Sequence, residues 1–180
     1  MDVGLGAAVK SIHLLRHAKS SWKKREPDDH DRPLSKRGRR VATALAHYLQ
    51  RSPLAPDVVL CSSAARARQT LDVIGTALRP SKVVLDRTIY EAGPRELLKL
   101  LRQLPESAES VLLIGHNPAL HELAVTLAGV KSVGKLPSLT EKFPTAALAS
   151  FQFDGSWTAL QAHQTTVIGY LAPAAMNDAH

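Results

Sequence analysis

Short apolar runs alternate with amphipathic segments along most of the chain. The apolar runs predict strands over residues 11–15, 57–61, 82–85 and 110–114. In the segments between them, apolar residues recur at helical spacing, which predicts helices over residues 35–51, 64–78, 94–104 and 118–127. Strands that alternate with helices in this way are typical of a mostly parallel sheet covered by helices on both faces.

The end of the chain follows another pattern. A stretch rich in Gly, Pro and Ser over residues 129–144 predicts a loop. Two apolar runs, at 146–153 and 157–161, flank Asp154-Gly155-Ser156, a sequence typical of hairpin turns. The predicted fold class is therefore α/β with three layers. A central, mostly parallel sheet has helices on both faces and antiparallel strands near the C-terminus.

Length and composition restrict the class of protein. The chain has 180 residues, which is enough for one domain with a sizeable core and short for two. We expect a single domain over residues 1–180, with a core over about 11–170 and flexible ends at 1–10 and 173–180. No stretch approaches the roughly 20 apolar residues that span a bilayer, and no secretory signal is recognised. The single cysteine, Cys61, cannot form an internal disulfide, so we expect a cytoplasmic protein with no membrane partner.

The net charge of +7 is concentrated near the start of the chain. Residues 1–40 hold 11 Lys and Arg against 5 Asp and Glu, whereas the rest of the chain holds 12 against 11. A local positive field attracts anionic ligands and accelerates their capture. A basic chain could also bind nucleic acid, but no nucleic-acid motif is recognised, and a phosphorylated ligand is the preferred interpretation.

Two predicted strands each deliver a histidine to the carboxyl end of the sheet, where ligands bind in open α/β folds. The first strand leads into Arg16-His17 and the other into Gly115-His116. A third strand leads into Ser62-Ser63 and a helix whose first turn carries Arg66. Free N–H groups at that helix start face the same cleft. Arg68, two residues further on, is expected to face solvent or an acidic neighbour.

These residue types suit phosphoryl transfer without a metal. Arginine donates two hydrogen bonds to one phosphate and keeps its charge. A neutral histidine can attack phosphorus with one ring nitrogen while a hydrogen bond holds the other. Two arginines and two histidines at one edge of a sheet therefore predict a phosphoryl site. Neither the histidine spacing nor the lone cysteine indicates a metal site, and we expect no cofactor.

A wider set of motifs occurs in a recognisable order. They are Arg16-His17-Ala18, Ser62-Ser63 with Arg66-Ala67 and Gln69-Thr70, Glu91, and Gly115-His116. This set resembles the histidine phosphatase superfamily, whose fold is that of phosphoglycerate mutase. The phrases from His17 to Trp22 and from Asp31 to Gly38 are similar to the SixA-type phosphohistidine phosphatases. The resemblance covers residues 11–170.

The resemblance implies a role for each matching residue. His17 would be transiently phosphorylated, Arg16, Arg66 and His116 would bind the phosphoryl oxygens, and no metal would be needed. Ser62 would belong to the phosphate- and substrate-binding groups, Arg32 would lie near the cleft mouth, and Thr145 or Ala146 would line the cleft. Trp22 either frames the cleft entrance or packs half-buried.

Three positions affect the chemistry that the resemblance implies. Ala18 replaces the usual glycine after the first histidine, which requires an ordinary backbone conformation there. Asn117 stands where the acid phosphatase branch has an aspartate as proton donor, and an amide cannot serve as an acid. Glu91 is then the candidate general acid; the alternative for Glu91 is an ion pair with a cleft arginine.

The leading hypothesis is a phosphatase that works through a phosphohistidine on His17. A short chain has little room for an inserted lid, which favours a protein that carries phosphohistidine as the substrate. A phosphomonoesterase acting on a small phosphorylated metabolite is the alternative. A non-catalytic module that binds phosphorylated partners or nucleic acid is a second alternative, although pure binding would not require His17.

Overall fold

The computed structural model describes residues 8–22, 28–52, 54–129, 132 and 137–176. Its six strands are β1 (Val9–Arg16), β2 (Val58–Ser62), β3 (Lys82–Asp86), β4 (Ser110–Gly115), β5 (Leu148–Asp154) and β6 (Thr166–Leu171). They form one sheet in the order β3-β2-β4-β1-β5-β6. The first four strands are mutually parallel, whereas β5 is antiparallel to β1 and β6 is antiparallel to β5.

Within the described ranges, six helices of known bounds connect or flank the strands. They are α1 (Lys36–Arg51), α2 (Ala65–Ile74), α3 (Thr88–Glu91), α4 (Pro94–Arg102), α5 (Ala119–Leu127) and α6 (Pro137–Glu141). Three short 3₁₀ turns occur at Gly75–Ala77, Trp157–Ala159 and Pro173–Met176. None of the helices in the described ranges is both long enough and apolar enough to cross a bilayer.

The central strands β1, β2 and β4 are buried on both faces along most of their length, as the apolar runs predict, whereas β3 at the edge exposes Val83 and Leu85. Along β4, Val111 and Leu113 belong to the core beneath α4 and α5, whereas Leu112 and Ile114 belong to the core beneath α1 and α2. All four side chains are fully buried. Successive side chains of a strand point to opposite faces, so a continuous apolar run predicts a strand with helices on both sides. The predicted α/β fold class is confirmed.

Two predictions about the last third of the chain are wrong. Helix α6 lies inside the stretch that was expected to be a loop. The strand that pairs with β5 is β6 rather than residues 157–161, where the chain forms a 3₁₀ turn. Trp157 explains the difference, because its fully buried indole donates a hydrogen bond to the carbonyl of Ala108 at 2.7 Å. Burying an aromatic ring with its N–H satisfied outweighs the local hairpin preference of Asp154-Gly155-Ser156.

The described secondary structure also extends beyond residues 11–170. Strand β1 begins at Val9, and Met176 is buried in the turn that follows β6. The flexibility predicted for residues 1–7 and 177–180 lies outside the described residues.

The sheet brings three strand ends together. Arg16, at the end of β1, lies opposite Gly115, at the end of β4, and Cys61 of β2 lies opposite Ile114 of the same strand. Because these strands are parallel neighbours, the chain segments that leave them emerge at one edge of the sheet. The two histidine motifs and the start of α2 therefore meet there.

The start of α1 is fixed to the segment that follows β1. Ser35 caps the helix by accepting a hydrogen bond from the backbone N–H of Gly38, and its own N–H and hydroxyl both donate to the carbonyl of Lys19. Gly38 lies so close to this carbonyl that a Cβ atom would stand 2.0 Å from its oxygen. A side chain at position 38 is therefore excluded by the approach of the two backbones.

We predict that Gly38→Ala lowers the free energy of unfolding by about 1–3 kcal/mol, because the added methyl group must push α1 away from Lys19. Urea denaturation followed by circular dichroism measures the change. Gly75→Ala is the matched control, since a Cβ atom there meets no atom within 4 Å. It should leave stability unchanged or raise it slightly; equal effects of the two substitutions would contradict the proposed packing.

Candidate active site

The two ring nitrogens of His17 have different partners, the backbone for Nδ1 and Arg66 for Nε2. Its Nδ1 lies 2.7 Å from the carbonyl oxygen of Ala18. A carbonyl only accepts hydrogen bonds, so Nδ1 carries the proton and Nε2 keeps its lone pair. The backbone here is also fixed: the N–H of His17 donates to Gly115 at 3.1 Å, and the N–H of Ala18 donates to Thr70 Oγ1 at 3.0 Å.

Arg66 reaches this ring from the first turn of α2. Its Nε lies 3.3 Å from Nε2 of His17, and the arginine is only 7% exposed. The other end of the guanidinium donates to Asp29, with Nη1 bonded to the backbone carbonyl at 2.6 Å and Nη2 to the carboxylate at 2.9 Å. The hydroxyl of Thr70 donates to the carbonyl of Arg66 at 2.7 Å, which links α2 to the backbone of Ala18.

His116 faces His17 across the cleft, with 4.9 Å between the ring centroids. Its Nε2 lies 2.7 Å from Oγ of Ser62. Ser62 is fully buried, so the structure places it behind His116 as a support rather than among the groups that line the cleft. Nδ1 of His116 is buried and has no hydrogen-bond partner in the part of the chain that the structure describes.

Arg16 also lines the cleft, and it is held by the backbone of Phe143. Its Nη1 donates to the carbonyl of Phe143 at 3.0 Å, a carbonyl that also accepts from the amide of Asn117 at 2.9 Å. Nε of Arg16 is buried and lacks a partner within the described ranges. A buried donor without a partner is costly in a folded protein, and an anion in the cleft would supply the missing acceptor.

Burial keeps both histidines neutral. Desolvation, followed by the positive charges of Arg66 and Arg16, lowers the pKa of His17 to about 4, although the bond to Ala18 opposes the shift. Desolvation and then the neighbouring His17 and Arg66 lower the pKa of His116 to about 3. Burial and Arg66 also lower the pKa of Arg16. Near pH 7 the rings are uncharged, and Nε2 of His17 carries a lone pair that accepts the hydrogen bond from Arg66 Nε.

The predicted cleft is present, with a volume of about 500 Å³. Arg16, His17, Arg66 and His116 all line it, together with Arg32 and Thr145. Trp22 frames the mouth: its ring is 78% exposed and lies 3.7 Å from the guanidinium carbon of Arg32. The structure thus brings together the four central residues of the sequence hypothesis.

Ala146 does not line the cleft. It is fully buried, with a left-handed backbone (φ 64°), and its N–H donates to the carbonyls of Arg16 and His17 at 3.0 and 3.2 Å. The side chain packs with Ala18, Leu34 and Ala42. Its contribution is to hold the end of β1, and only its neighbour Thr145 reaches the cleft.

Glu91 lies away from the cleft. Its side chain is 69% exposed, and its carboxylate is 4.0 Å from Nε of Arg87, which is itself an exposed surface residue. The short helix α3 turns Tyr90 rather than Glu91 toward the site, with the Tyr90 ring 5.4 Å from that of His116. Neither the expected general-acid position nor the expected ion pair with a cleft arginine is found for Glu91.

Sequence reasoning missed Asp29, which joins the cations of the site. Its carboxylate accepts hydrogen bonds from Arg66 at 2.9 Å, from Arg32 at 2.5 Å and from the phenol of Tyr90 at 2.8 Å. Partial burial opposes ionisation, but the bonds from Tyr90 and Arg66 outweigh it and lower the pKa of Asp29. The loop around Asp29 is attached by His30, whose Nε2 lies 2.8 Å from Oγ of Ser63.

Little in the sequence could have identified Asp29. It lies in a polar loop beside two other aspartates, and spacing does not reveal which of them reaches Arg66. Thr70 left a clearer signal, because a threonine four residues after Arg66 on a helix can donate back to the arginine carbonyl. Within the described residues, no three His, Cys, Asp or Glu side chains converge on a common point as metal ligands would.

Comparison with known proteins identifies the class to which this chain belongs. Residues 12–100 match the family model of the histidine phosphatase superfamily (branch 1). An uncharacterised protein of Mycobacterium tuberculosis is 33% identical over 164 residues, covering 88% of this chain and 99% of the relative. The chain belongs to the histidine phosphatase superfamily, and the predicted family is confirmed.

Solved structures define the branch. A structure from Nakamurella multipartitia is 30% identical, has a TM-score of 0.79, and covers 93% of this chain and 98% of its own. A structure from Agrobacterium tumefaciens is also 30% identical, has a TM-score of 0.76, and covers 91% and 99%. Both carry the provisional name phosphohistidine phosphatase SixA. The chain is of the SixA type, and its family supports phosphatase activity.

The buried histidines predict a pH dependence of stability. His17 takes up a proton near its ordinary pKa of 6.5 when unfolded but only near 4 when folded. Between these values the unfolded chain binds more protons, so the free energy of unfolding falls as pH falls through this window, by up to about 1.4 kcal/mol per pH unit for each such histidine. Urea denaturation at several pH values measures this slope.

His17→Gln should make the slope shallower between pH 6.5 and 4, because one of the histidines responsible is gone. The exposed His47 provides the control, since His47→Gln removes a histidine from the surface of α1. An unchanged slope in His17→Gln, with the fold intact, would contradict the buried neutral state of this ring.

Proposed function

We propose that this protein is a cytoplasmic phosphatase that hydrolyses phosphohistidine on a protein substrate, with His17 as the nucleophile. In this proposal Arg16, Arg66 and His116 hold the phosphoryl oxygens. The geometry of the cleft supports these roles, because an unprotonated Nε2 lies beside Arg66 and opposite His116. Fixed donors aimed at the position where charge develops are often the largest source of catalysis.

The observation that favours phosphohistidine over a phosphate ester is the absence of a carboxylic acid among the described residues of the cleft. No carboxylate is among the described residues that line it. Glu91 faces away, Asn117 is an amide, and Asp29 has a lowered pKa and lies behind Arg66. An alkoxide leaving group needs a proton in the transition state, and nothing in this set can provide it. A leaving group that is stable without a proton donor fits the site better.

Phosphohistidine is such a substrate. In the first step the lone pair of His17 Nε2 forms a bond to phosphorus while the bond to the substrate ring nitrogen breaks. The electron pair of that bond returns to the substrate ring, whose other nitrogen already carries a proton. The ring therefore leaves as neutral imidazole without receiving a proton from the enzyme. The proton on Nδ1 of His17 remains shared with the carbonyl of Ala18.

In the second step water attacks phosphorus and the bond to Nε2 of His17 breaks. The lone pair returns to Nε2, and phosphate leaves with the two protons of the water, one of which is then lost to solvent. The enzyme regains its starting form with the Nδ1 proton in place. The arginines keep their charge throughout, so they stabilise the phosphoryl group in both steps.

We predict that His17→Ala abolishes turnover of both a phosphohistidine peptide and p-nitrophenyl phosphate. Arg66→Ala should lower kcat by about 10²–10³ because a donor to the phosphoryl oxygens is lost. Steady-state release of phosphate measures both. Arg68→Ala is the matched control, since Arg68 is an exposed arginine on the same helix that does not line the cleft.

A covalent intermediate distinguishes catalysis from binding alone. Rapid mixing with ³²P-labelled phosphohistidine peptide, followed by an alkaline quench, should trap label on the wild-type chain and none on His17→Ala, because phosphohistidine survives alkali and is lost in acid. Full activity or undiminished labelling in His17→Ala would refute the nucleophile. If the wild-type protein showed neither labelling nor turnover, the result would support the non-catalytic binding module instead.

Because no carboxylic acid is among the described residues that line the cleft, a second prediction concerns the choice of substrate. Wild-type protein should hydrolyse phosphohistidine peptide and aryl phosphate but act poorly on alkyl phosphates such as glycerol phosphate. Asn117→Asp places a carboxyl group in the cleft and should raise the rate on alkyl phosphates by about tenfold or more, with little gain on phosphohistidine. A panel of small phosphorylated metabolites hydrolysed faster than the peptide would favour the phosphomonoesterase alternative.

A further inference from the structure

We propose that a basic groove running from the cleft along α1 binds an acidic surface of the phosphorylated protein substrate. The groove would select phosphohistidines that have carboxylates beside them. This inference rests on the proposed function and specifies its substrate class. The evidence for this inference is the position and the charge of Lys19, Arg37 and Arg40.

The groove is formed by two hollows that continue from the cleft. The first, of about 330 Å³, shares Lys19, Pro144 and Thr145 with the cleft. The second, of about 480 Å³, shares with the first the side chains of Arg37 and Val41 on α1 and of Pro173 and Ala174 after β6. The three hollows therefore form one path that leads from His17 across the surface of α1.

The charge along this path has one sign. Lys19, Arg37 and Arg40 are exposed, and none of them forms an ion pair with a carboxylate of the described residues. Neither hollow has an aspartate or glutamate among its described lining residues. A bound acidic segment would therefore meet three cations that have no competing internal partner, which is the arrangement expected of a surface that steers an anionic partner.

The cations are fixed relative to the nucleophile. Arg37 and Arg40 are three residues apart on α1 and so share one face of the helix. The start of α1 is attached to Lys19 through Ser35 and through the close approach of Gly38. Lys19 is two residues from His17. A partner seated in the groove is thus held at a defined distance from the attacking nitrogen, as positioning of a substrate requires.

The shape of the groove favours a protein over the other anionic ligands. The cleft alone, at about 500 Å³, can accommodate a small phosphorylated metabolite. A ligand of that size would leave the two further hollows unfilled. Single-stranded nucleic acid would use aromatic surfaces for its bases, whereas the described residues of the outer hollow are aliphatic or basic, with Val41, Ala44 and Met176 among them. Aliphatic surface beside arginines suits a protein segment of mixed apolar and acidic side chains.

The test compares two synthetic peptides of equal length with phosphohistidine at the centre. One has Asp and Glu on both sides of it, and the other has Ser and Asn at the same positions. Wild-type protein should show about tenfold higher kcat/KM for the acidic peptide at low salt, and the difference should disappear at high salt. The double variant Arg37→Glu with Arg40→Glu should bring the ratio of the two rates to one or reverse it.

The matched control carries the same charge change on the opposite face of the sheet. Arg95 and Lys99 are exposed on α4, which packs on the other core from α1. Arg95→Glu with Lys99→Glu should retain the wild-type ratio. Turnover of p-nitrophenyl phosphate by each variant reports whether its cleft has formed.

Each other outcome overturns the inference in a recognisable way. Equal rates of wild-type protein on the two peptides, or a preference that survives the α1 double variant, would exclude the groove as the acidic docking surface. Equal peptide rates together with inhibition by a single-stranded oligonucleotide would assign the groove to nucleic acid. If neither the peptides nor p-nitrophenyl phosphate were hydrolysed, the proposed function itself would fail.

Discussion

The hydrogen bond between Nδ1 of His17 and the carbonyl of Ala18 determines what the site can do. It fixes both the orientation of the ring and the position of its proton, so the lone pair of Nε2 points toward Arg66. The bond in turn needs the backbone of residues 16–18 to be rigid. Pairing with β4, the N–H of Ala146 and the hydroxyl of Thr70 provide that rigidity. Much of the sheet edge thus serves to hold one imidazole.

The cost of this arrangement is a concentration of positive charge that lacks a full counter-charge. Burial and the charge of Arg66 lower the pKa of Arg16, and burial together with both arginines lowers the pKa of His17 and His116. Asp29 offsets part of the repulsion by accepting from Arg66 and Arg32 on the side away from the cleft. Nε of Arg16 still has no acceptor among the described residues, and the proposed phosphoryl ligand would supply one. A cluster of cations without enough counter-charge lowers the free energy of unfolding, but it also places donors where an anion can bind.

The parts of the site that follow from short stretches of sequence could be predicted. Arg16, His17 and His116 come directly after apolar runs, and Arg66 lies in the first turn after another, so strand order alone brings them together. Glu91 could not be placed, because a helix of four residues decides whether position 90 or 91 faces His116. The left-handed backbone of Ala146 likewise depends on tertiary packing.

The proposed catalysis and the proposed selectivity are connected because they depend on one stretch of sequence. The segment from β1 to the first turns of α1 carries the proposed nucleophile, the rim of the cleft and the arginines of the groove, and it also holds most of the excess positive charge. The carbonyl of Lys19 joins its two ends, since it accepts from Ser35 and packs against Gly38. A displacement of α1 would therefore move the basic groove relative to His17. The exclusion of a side chain at position 38 is then a condition on substrate alignment as well as on folding.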